Sequence, residues 1–201
     1  MGAALLVAPA TAHAQFGPPT NPVHNTSMLK PPPGARVAII EFDDLECPAC
    51  AHANPLLEGA AAKYKIPWIR HDFLIPYHVW SKGAAVNARW FDTRGKGLGD
   101  EYRNEVFANQ SSIETLLQMN QFTQRFAQSH GVALPFAIDP QGKLLAEVNA
   151  DVALGNQIGI TQTPCILIVT AGAKGPSSVQ VSDPDRDLYS TIDRAIEQTR
   201  H

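Results

Sequence analysis

Two cysteines separated by two residues are the part of this sequence that most clearly indicates chemistry, in the motif Cys47-Pro48-Ala49-Cys50. Proline suits the first position of a helix, because it has no N–H to leave unpaired and its φ is already helical. Cys47 would then be the N-cap residue, with its sulfur facing unpaired N–H groups and the positive end of the helix dipole. Such a position lowers the pKa of a cysteine below the roughly 8.5 of a free thiol. The motif therefore predicts a redox-active dithiol.

The residues before the motif predict a buried strand and a short acidic turn. An apolar run over residues 36–42 has the length and composition of a buried strand. Glu41 stands within that run, where burial of an acid is costly and is expected to raise its pKa; a solvated acid at a strand end is the alternative. We interpret Asp43, Asp44 and Glu46 as turn residues, whose negative charges would partly oppose the helix dipole.

A metal site is the main alternative interpretation of the two cysteines. Cys47, Cys50 and His52 have a spacing that suits copper or zinc. The sequence has no second CxxC and no matching histidine pair to complete a tetrahedral site. We therefore favour a dithiol without metal, and a copper or zinc chaperone remains the less favoured alternative.

Three further features surround the CxxC at characteristic distances. Glu41 lies six positions before the first cysteine, Pro55 lies five positions after the second, and Thr163-Pro164 precedes an apolar strand at residues 165–170. Together with the CxxC, these residues resemble the thioredoxin superfamily, and more closely its DsbA-like branch. In that superfamily the acid is a buried proton-transfer group, the helix proline kinks the active-site helix, and the distal proline is cis.

The resemblance covers roughly residues 36 to 200 and implies an α/β fold. It implies a thioredoxin-like sheet whose two halves, residues 36–80 and 158–201, are separated by a helical insertion at residues 81–157. The helical periodicity that follows Pro76 for about eighty residues agrees with such an insertion.

The resemblance also implies a role for each site residue. Cys47 is expected to be the exposed, attacking thiol and Cys50 the more buried, resolving thiol, with exchange passing through a mixed disulfide at Cys47. Glu41 would relay a proton to or from Cys50. The backbone of Thr163, beside a cis Pro164, would pair with an extended substrate strand. Pro48 and Ala49 would tune the CxxC.

The implied function is thiol–disulfide exchange on exported proteins that carry free thiols or disulfides. We expect no dissociable cofactor, and a membrane redox partner that resets the pair. The resemblance favours a disulfide-donating oxidase. Pro48-Ala49 within the CxxC and Thr163 before the proline are less typical of the most oxidising members, so a reductase or isomerase is the alternative.

Composition and the N-terminus bear on the compartment. The 201 residues suffice for one domain that buries roughly 70% of its unfolded surface. A net charge of −3 gives no indication of nucleic-acid binding. Residues 1–14 form an apolar stretch that ends in Ala12-His13-Ala14, like a signal peptide, although no Lys or Arg precedes residue 30. This stretch is too short to span a bilayer. We predict a periplasmic or secreted protein, with residues 15–35 as a proline-rich linker or arm.

Local patterns predict the remaining elements. Asp100 is expected to cap one helix, and Ser111-x-x-Glu114 to open another as a capping box. Further helices are expected at residues 143–157 and after Asp183-Pro184, with a loose hairpin turn over residues 172–178. Cys165, the third cysteine, begins a buried strand and is expected to be an inert thiol; a third redox thiol that exchanges with the Cys47–Cys50 pair is the alternative.

Overall fold

A computed structural model of the chain describes residues 23–95, 97–172 and 175–200. The predicted signal peptide and the first part of the proline-rich segment lie outside the described residues. Within them the structure has the following elements. The strands are β1 (Val37–Asp43), β2 (Trp68–Asp72), β3 (Cys165–Gly172) and β4 (Gly175–Val181), and the helices are α1 (Pro48–Tyr64), α2 (Ser81–Asp92), α3 (Leu98–Asn109), α4 (Leu116–Ser129), α5 (Lys143–Gln157) and α6 (Pro184–Gln198).

The four strands form one mixed sheet in the order β2-β1-β3-β4. β1 pairs with β2 in parallel, through the crossover helix α1, and with β3 in antiparallel orientation. All seven residues of β1 are buried, because this strand is central in the sheet and is covered on both faces. Val37 and Ile39 pack against residues of α1 and α6, whereas Ala38, Ile40 and Phe42 pack on the opposite face.

Helices α2 to α5 lie between β2 and β3 in the chain, as the α/β fold with a helical insertion predicted. Their core is rich in aromatic side chains, among them Trp80, Phe91, Tyr102 and Phe126. Cys50 belongs to the same buried cluster. The beginning of α1 is therefore packed against the insertion and not only against the sheet. None of the helices among the described residues is both long enough and apolar enough to cross a membrane.

The described part of the proline-rich segment lies on the edge of the sheet and on the end of α5. His24 N donates to Ile158 O at 3.0 Å, and Ser178 Oγ donates to Thr26 Oγ1 at 2.7 Å. Leu29 is buried in the core cluster that also contains Ala38, Ile40 and Phe42 of β1. Residues 23–35 thus form a packed arm.

Several predicted boundaries are confirmed. α1 begins at Pro48, α5 covers residues 143–157, and Asp183 caps α6 by accepting from the backbone N–H of Asp185 and Arg186. The predicted hairpin turn was too long, because β3 continues to Gly172 and β4 begins at Gly175.

Two predicted helix caps are wrong. α3 begins at Leu98 after a left-handed Gly97, so Asp100 lies inside its first turn. Ser111 lies in a 3₁₀ turn, and α4 begins later, with Thr115 as the N-cap residue whose hydroxyl accepts from Gln118 N at 3.2 Å. The Gln118 side chain in turn accepts from Glu114 N at 2.8 Å and from the Thr115 hydroxyl at 3.1 Å, so a capping arrangement related to the capping box exists four residues further along the chain than predicted.

Replacement of Thr115 by alanine tests this assignment. We expect Thr115→Ala to lower the free energy of unfolding by about 1 kcal/mol, because the Gln118 N–H loses its acceptor. Ser111→Ala, in the cap position that the sequence pattern suggested, should change it by less than about 0.5 kcal/mol. Urea unfolding followed by circular dichroism measures both values. A larger loss for Ser111→Ala than for Thr115→Ala would contradict the observed start of α4.

Candidate active site

Cys47 is the N-cap residue of α1, as the sequence predicted, and its extended φ of −82° and ψ of 118° place the sulfur at the end of the helix. Pro48 follows as the first helical residue, and the first helical hydrogen bond runs from Ala51 N to Cys47 O at 3.1 Å. The expectation of an exposed Cys47 is wrong, because the residue packs in the cluster of the helical insertion and is only 8% exposed. Cys50, on the next turn, is 0% exposed.

The surroundings of Cys47 favour a thiolate and lower its pKa to about 6. The largest cause is the neighbouring Cys50 thiol, which can donate a hydrogen bond to the charged sulfur; burial opposes it. Thr163 and the backbone N–H groups of Cys50 and Ala49 lower the pKa further. The direction agrees with the sequence prediction, but the helix N–H groups contribute less than the second cysteine.

Cys50 has the opposite character. Burial raises the pKa of the Cys50 thiol well above its ordinary value, and nearby Cys47, Asp43 and Glu41 raise it further. One sulfur of the pair is therefore readily ionised, and the other strongly prefers its proton. Such a pair has a defined attacking or leaving thiol, Cys47, and a second thiol that needs help to lose its proton.

The loop before β3 contacts the Cys47 sulfur from a position 116 residues further along the chain. The Thr163–Pro164 peptide bond is cis. Cys47 Sγ donates to Thr163 O at 3.4 Å. While Cys47 is a neutral thiol, the buried hydroxyl oxygen of Thr163 has no hydrogen-bond partner. Since a thiolate can accept a hydrogen bond from this hydroxyl, Thr163 favours the ionised sulfur.

Glu41 is buried in the middle of the sheet and is 1% exposed. Trp68 Nε1 donates to Glu41 Oε2 at 3.0 Å, while Glu41 Oε1 has no hydrogen-bond partner. Burial raises the pKa of Glu41 to about 7, against the opposing effects of Arg70 and of the Trp68 hydrogen bond. The predicted burial and the predicted direction of the pKa shift are both confirmed, and they make Glu41 able to exchange a proton near neutral pH.

Glu46 lies in the turn between β1 and α1 that the sequence predicted, and Asp44 directly precedes that turn, but both carboxylates bind backbone N–H groups. Asp44 is buried and accepts from Glu46 N at 2.8 Å and from Ile75 N at 2.7 Å. Glu46 Oε2 accepts from the backbone N–H of Trp80 and Ser81, at 2.7 and 3.0 Å, where α2 begins. Both carboxylates satisfy backbone donors of the segment that leads into the helical insertion, and so they join the insertion to the motif.

Two further residues of the site were missed at the sequence level. Asp43 is the last residue of β1 and is 1% exposed, although its type suggested a turn. Its spacing of two from Glu41, which places both acids on one face of a strand, was the signal available. Gln110 Nε2 donates to Leu45 O at 2.9 Å and to Cys47 O at 3.1 Å. No local pattern marks this glutamine, because its partners are distant in the chain.

The alternative metal site with His52 does not assemble. His52 Nε2 lies 2.9 Å from Asp185 Oδ2 on α6. In the part of the chain that the structure describes, the group of three possible ligands that lie close together is Glu101, Glu105 and His130, away from the cysteines.

Sequence comparison identifies the family. A family model described as thioredoxin matches residues 25–180. The chain belongs to the thioredoxin family. Among curated protein sequences, none is significantly similar to this chain.

The solved structures that resemble the protein have the DsbA-like form of the thioredoxin fold. α-DsbA1 of Wolbachia pipientis, as a variant with two cysteines replaced by alanine, superimposes with a TM-score of 0.69 at 18% identity, over 87% of this chain and 96% of its own. DsbA of Xylella fastidiosa superimposes with a TM-score of 0.61 at 16% identity, over 82% of this chain and 87% of its own. DsbA2 of Pseudomonas aeruginosa superimposes with a TM-score of 0.60 at 17% identity, over 83% of this chain and 92% of its own. The chain thus has the DsbA-like form of the thioredoxin fold.

The Thr163 hydroxyl offers a direct test of the electrostatics at Cys47 in this DsbA-like site. With a pKa of about 6, roughly nine-tenths of Cys47 is thiolate at pH 7. Thr163→Val keeps the shape of the side chain and removes the donor, so it should raise the pKa of Cys47 and lower the thiolate fraction. The absorbance of the thiolate against pH measures this.

Thr161→Val, at an exposed position of the same loop, is the matched control and should leave the titration unchanged. An unchanged titration in Thr163→Val as well would show that the hydroxyl does not act on the sulfur.

Proposed function

We propose that the protein exchanges thiols and disulfides with other exported proteins, and that it acts mainly as a disulfide donor. The observation that carries this proposal is the asymmetry of the pair. Cys47 is an acidified thiol at a helix N-terminus beside a cis-proline loop, and Cys50 is a fully buried thiol one turn later. The thioredoxin family membership supports the same chemistry.

In the oxidising direction, a substrate thiolate attacks Cys47 of the Cys47–Cys50 disulfide. The bond between the two cysteines breaks, and Cys50 leaves with the electron pair and takes up a proton. A second substrate thiolate then attacks the substrate sulfur of the mixed disulfide and releases Cys47 as a thiolate. The substrate has lost two electrons and gained a disulfide, and the protein is left as the dithiol.

The low pKa of Cys47 favours this direction. A stable Cys47 thiolate is a good leaving group in the second step, and it stabilises the reduced form of the pair. A pair whose reduced form is stabilised has an oxidising disulfide. A membrane redox partner would then reoxidise the dithiol and reset the cycle.

Glu41 is the proposed proton relay for Cys50. Its buried carboxyl has one oxygen without a partner and a pKa of about 7, so it can give up or accept a proton at physiological pH. Burial also keeps bulk water from exchanging with Cys50 directly, which makes an internal proton carrier necessary.

Substrates are proposed to bind as extended segments along Thr163, whose backbone lies against Cys47. Tyr77 and Val79 are exposed apolar side chains on the loop that Asp44 and Glu46 anchor beside the motif. Exposed apolar residues near a reactive sulfur suit unfolded protein segments better than small thiols. Export is supported by the predicted signal peptide.

Cys165 takes no part in the proposed mechanism. It is 3% exposed, and burial raises the pKa of its thiol to about 12. Since the thiolate is the reactive form, this thiol should be inert in the folded protein.

Trapping of the mixed disulfide tests the proposal. Insulin, whose disulfides are accessible, serves as the probe. In Cys50→Ala, the Cys47 thiolate should attack an insulin disulfide and remain covalently linked, because no second thiol resolves the bond. A non-reducing gel should show an adduct that reductant removes.

Three other proteins complete this experiment. Cys47→Ser should give no adduct, and the unsubstituted protein should give little at steady state because Cys50 resolves it. Cys165→Ala should behave like the unsubstituted protein. Adducts formed through Cys50 or Cys165, or no adduct in Cys50→Ala, would overturn the proposed roles.

A further inference from the structure

We propose that Asp43 is a second proton-transfer acid of this site, which shares one proton with Glu41 and exchanges it with Cys50. This inference rests on the proposed function, since it concerns the step in which Cys50 loses or gains its proton. It assigns a role to a residue whose position before the motif suggested only a turn.

The geometry of β1 places the two acids together. Successive side chains alternate between the faces of a strand, so Asp43 and Glu41 project to the same face. That face packs against α1, because Val37 and Ile39 on it contact the α1 residues of the buried cluster. Asp43 is the nearer of the two acids to the motif in the chain, and its backbone is fixed by pairing with Asp72 and by the hydrogen bond from Phe73 N at 2.7 Å.

Both acids and the arginine on the adjacent strand carry buried polar atoms without a hydrogen-bond partner. Asp43 Oδ2 and Glu41 Oε1 are both buried without a hydrogen-bond partner, and so are Nε and Nη1 of Arg70 on the adjacent strand. Arg70 donates instead through Nη2 to Asn104 at 2.8 Å and to Asn54. Two buried carboxyls beside one guanidinium are more stable with a single negative charge than with two, so the pair retains a proton.

The charged groups that face Asp43 come from several elements. Glu41 on β1 and Asp72 on β2 disfavour its ionisation, while Arg70 on β2 and Arg103 on α3 favour it. Arg103 is engaged with Asp92, at 3.0 Å. Burial outweighs these charges and raises the pKa of Asp43 well above its ordinary value.

Asp43 and Glu41 both interact with Cys50, and Glu41 also interacts with Cys47. Among the charges that raise the pKa of Cys50, Asp43 contributes more than Glu41. Glu41 is itself influenced by Cys47, from which its pKa receives a small upward contribution. The charge of Asp43 therefore acts on Cys50 more strongly than that of Glu41, while Glu41 also interacts with Cys47.

The proton balance of the step is simple. When Cys50 attacks a mixed disulfide at Cys47, its thiol proton passes to the ionised carboxyl of the pair, which becomes fully protonated. The Cys50 sulfur forms the new bond to Cys47, and the substrate sulfur leaves with the electron pair. In the oxidising direction the pair returns a proton to the departing Cys50.

A single-turnover experiment on the Cys47–glutathione mixed disulfide tests this assignment. The rate of glutathione release at Cys47 should fall roughly tenfold or more at pH 7 in Asp43→Asn, as expected for loss of a proton acceptor, and by more than in Glu41→Gln. In the variant that combines Asp43→Asn with Glu41→Gln, the rate of glutathione release should rise with pH, because hydroxide is then the only base that accepts the Cys50 proton. Asp100→Asn, which removes an exposed acid, should leave the rate of glutathione release equal to that of the unsubstituted protein. The pKa of Cys47 should stay low in Asp43→Asn, which separates proton transfer from a general change in charge.

The pH dependence of unfolding provides an independent measurement. Because burial raises the pKa of Asp43, the folded protein retains a proton that the unfolded chain releases above about pH 4. The free energy of unfolding should therefore fall as pH rises through that window, and in Asp43→Asn the slope should correspond to about one proton less. An unchanged slope together with unchanged glutathione release would overturn the role of Asp43. Failure of the unsubstituted protein to release glutathione would instead overturn the proposed function, and the slope would still decide whether Asp43 holds the proton.

Discussion

The hydrogen bond that the Cys50 thiol can donate to an ionised Cys47 at the N-terminus of α1 is the interaction on which the chemistry of this structure depends. A fall in the pKa of Cys47 from the roughly 8.5 of a free thiol to about 6 corresponds to roughly 3 kcal/mol in favour of the thiolate. The largest cause of that preference acts only while Cys50 keeps its own proton. Burial of Cys50 supplies this condition, so the reactivity of one sulfur depends on how completely the other is enclosed.

The elements around the two cysteines serve this enclosure. Gln110 at the end of α3 donates to the carbonyl of Cys47, and Glu46 accepts from the first N–H groups of α2. The helical insertion is therefore attached to the motif by buried polar contacts as well as by its aromatic core. Thr163 closes the remaining side and presents its backbone to the sulfur. In the proposed function, a substrate approaches Cys47 along this loop.

Sequence reasoning was most successful where local pattern and chemistry agree. The start of α1 followed from Pro48, and the burial of Glu41 followed from its position among apolar strand residues. It failed for Asp43, which belongs to β1, and it did not predict the burial of Asp44, because acidic residues before a helix usually face solvent. The burial of these two acids depends on a backbone donor and an arginine that lie far away in the chain. The same limit hid Gln110, whose two partners are more than sixty residues away.

The reduction potential of the Cys47–Cys50 pair, measured by equilibration with glutathione, tests most directly the claim that the site stabilises its reduced form. An acidified Cys47 beside a protonated Cys50 predicts a potential above the approximately −270 mV of thioredoxin, toward the oxidising members of the superfamily. A value below about −300 mV, where structural disulfides lie, would mean that the pair is a stable crosslink rather than a disulfide donor, and would contradict the account.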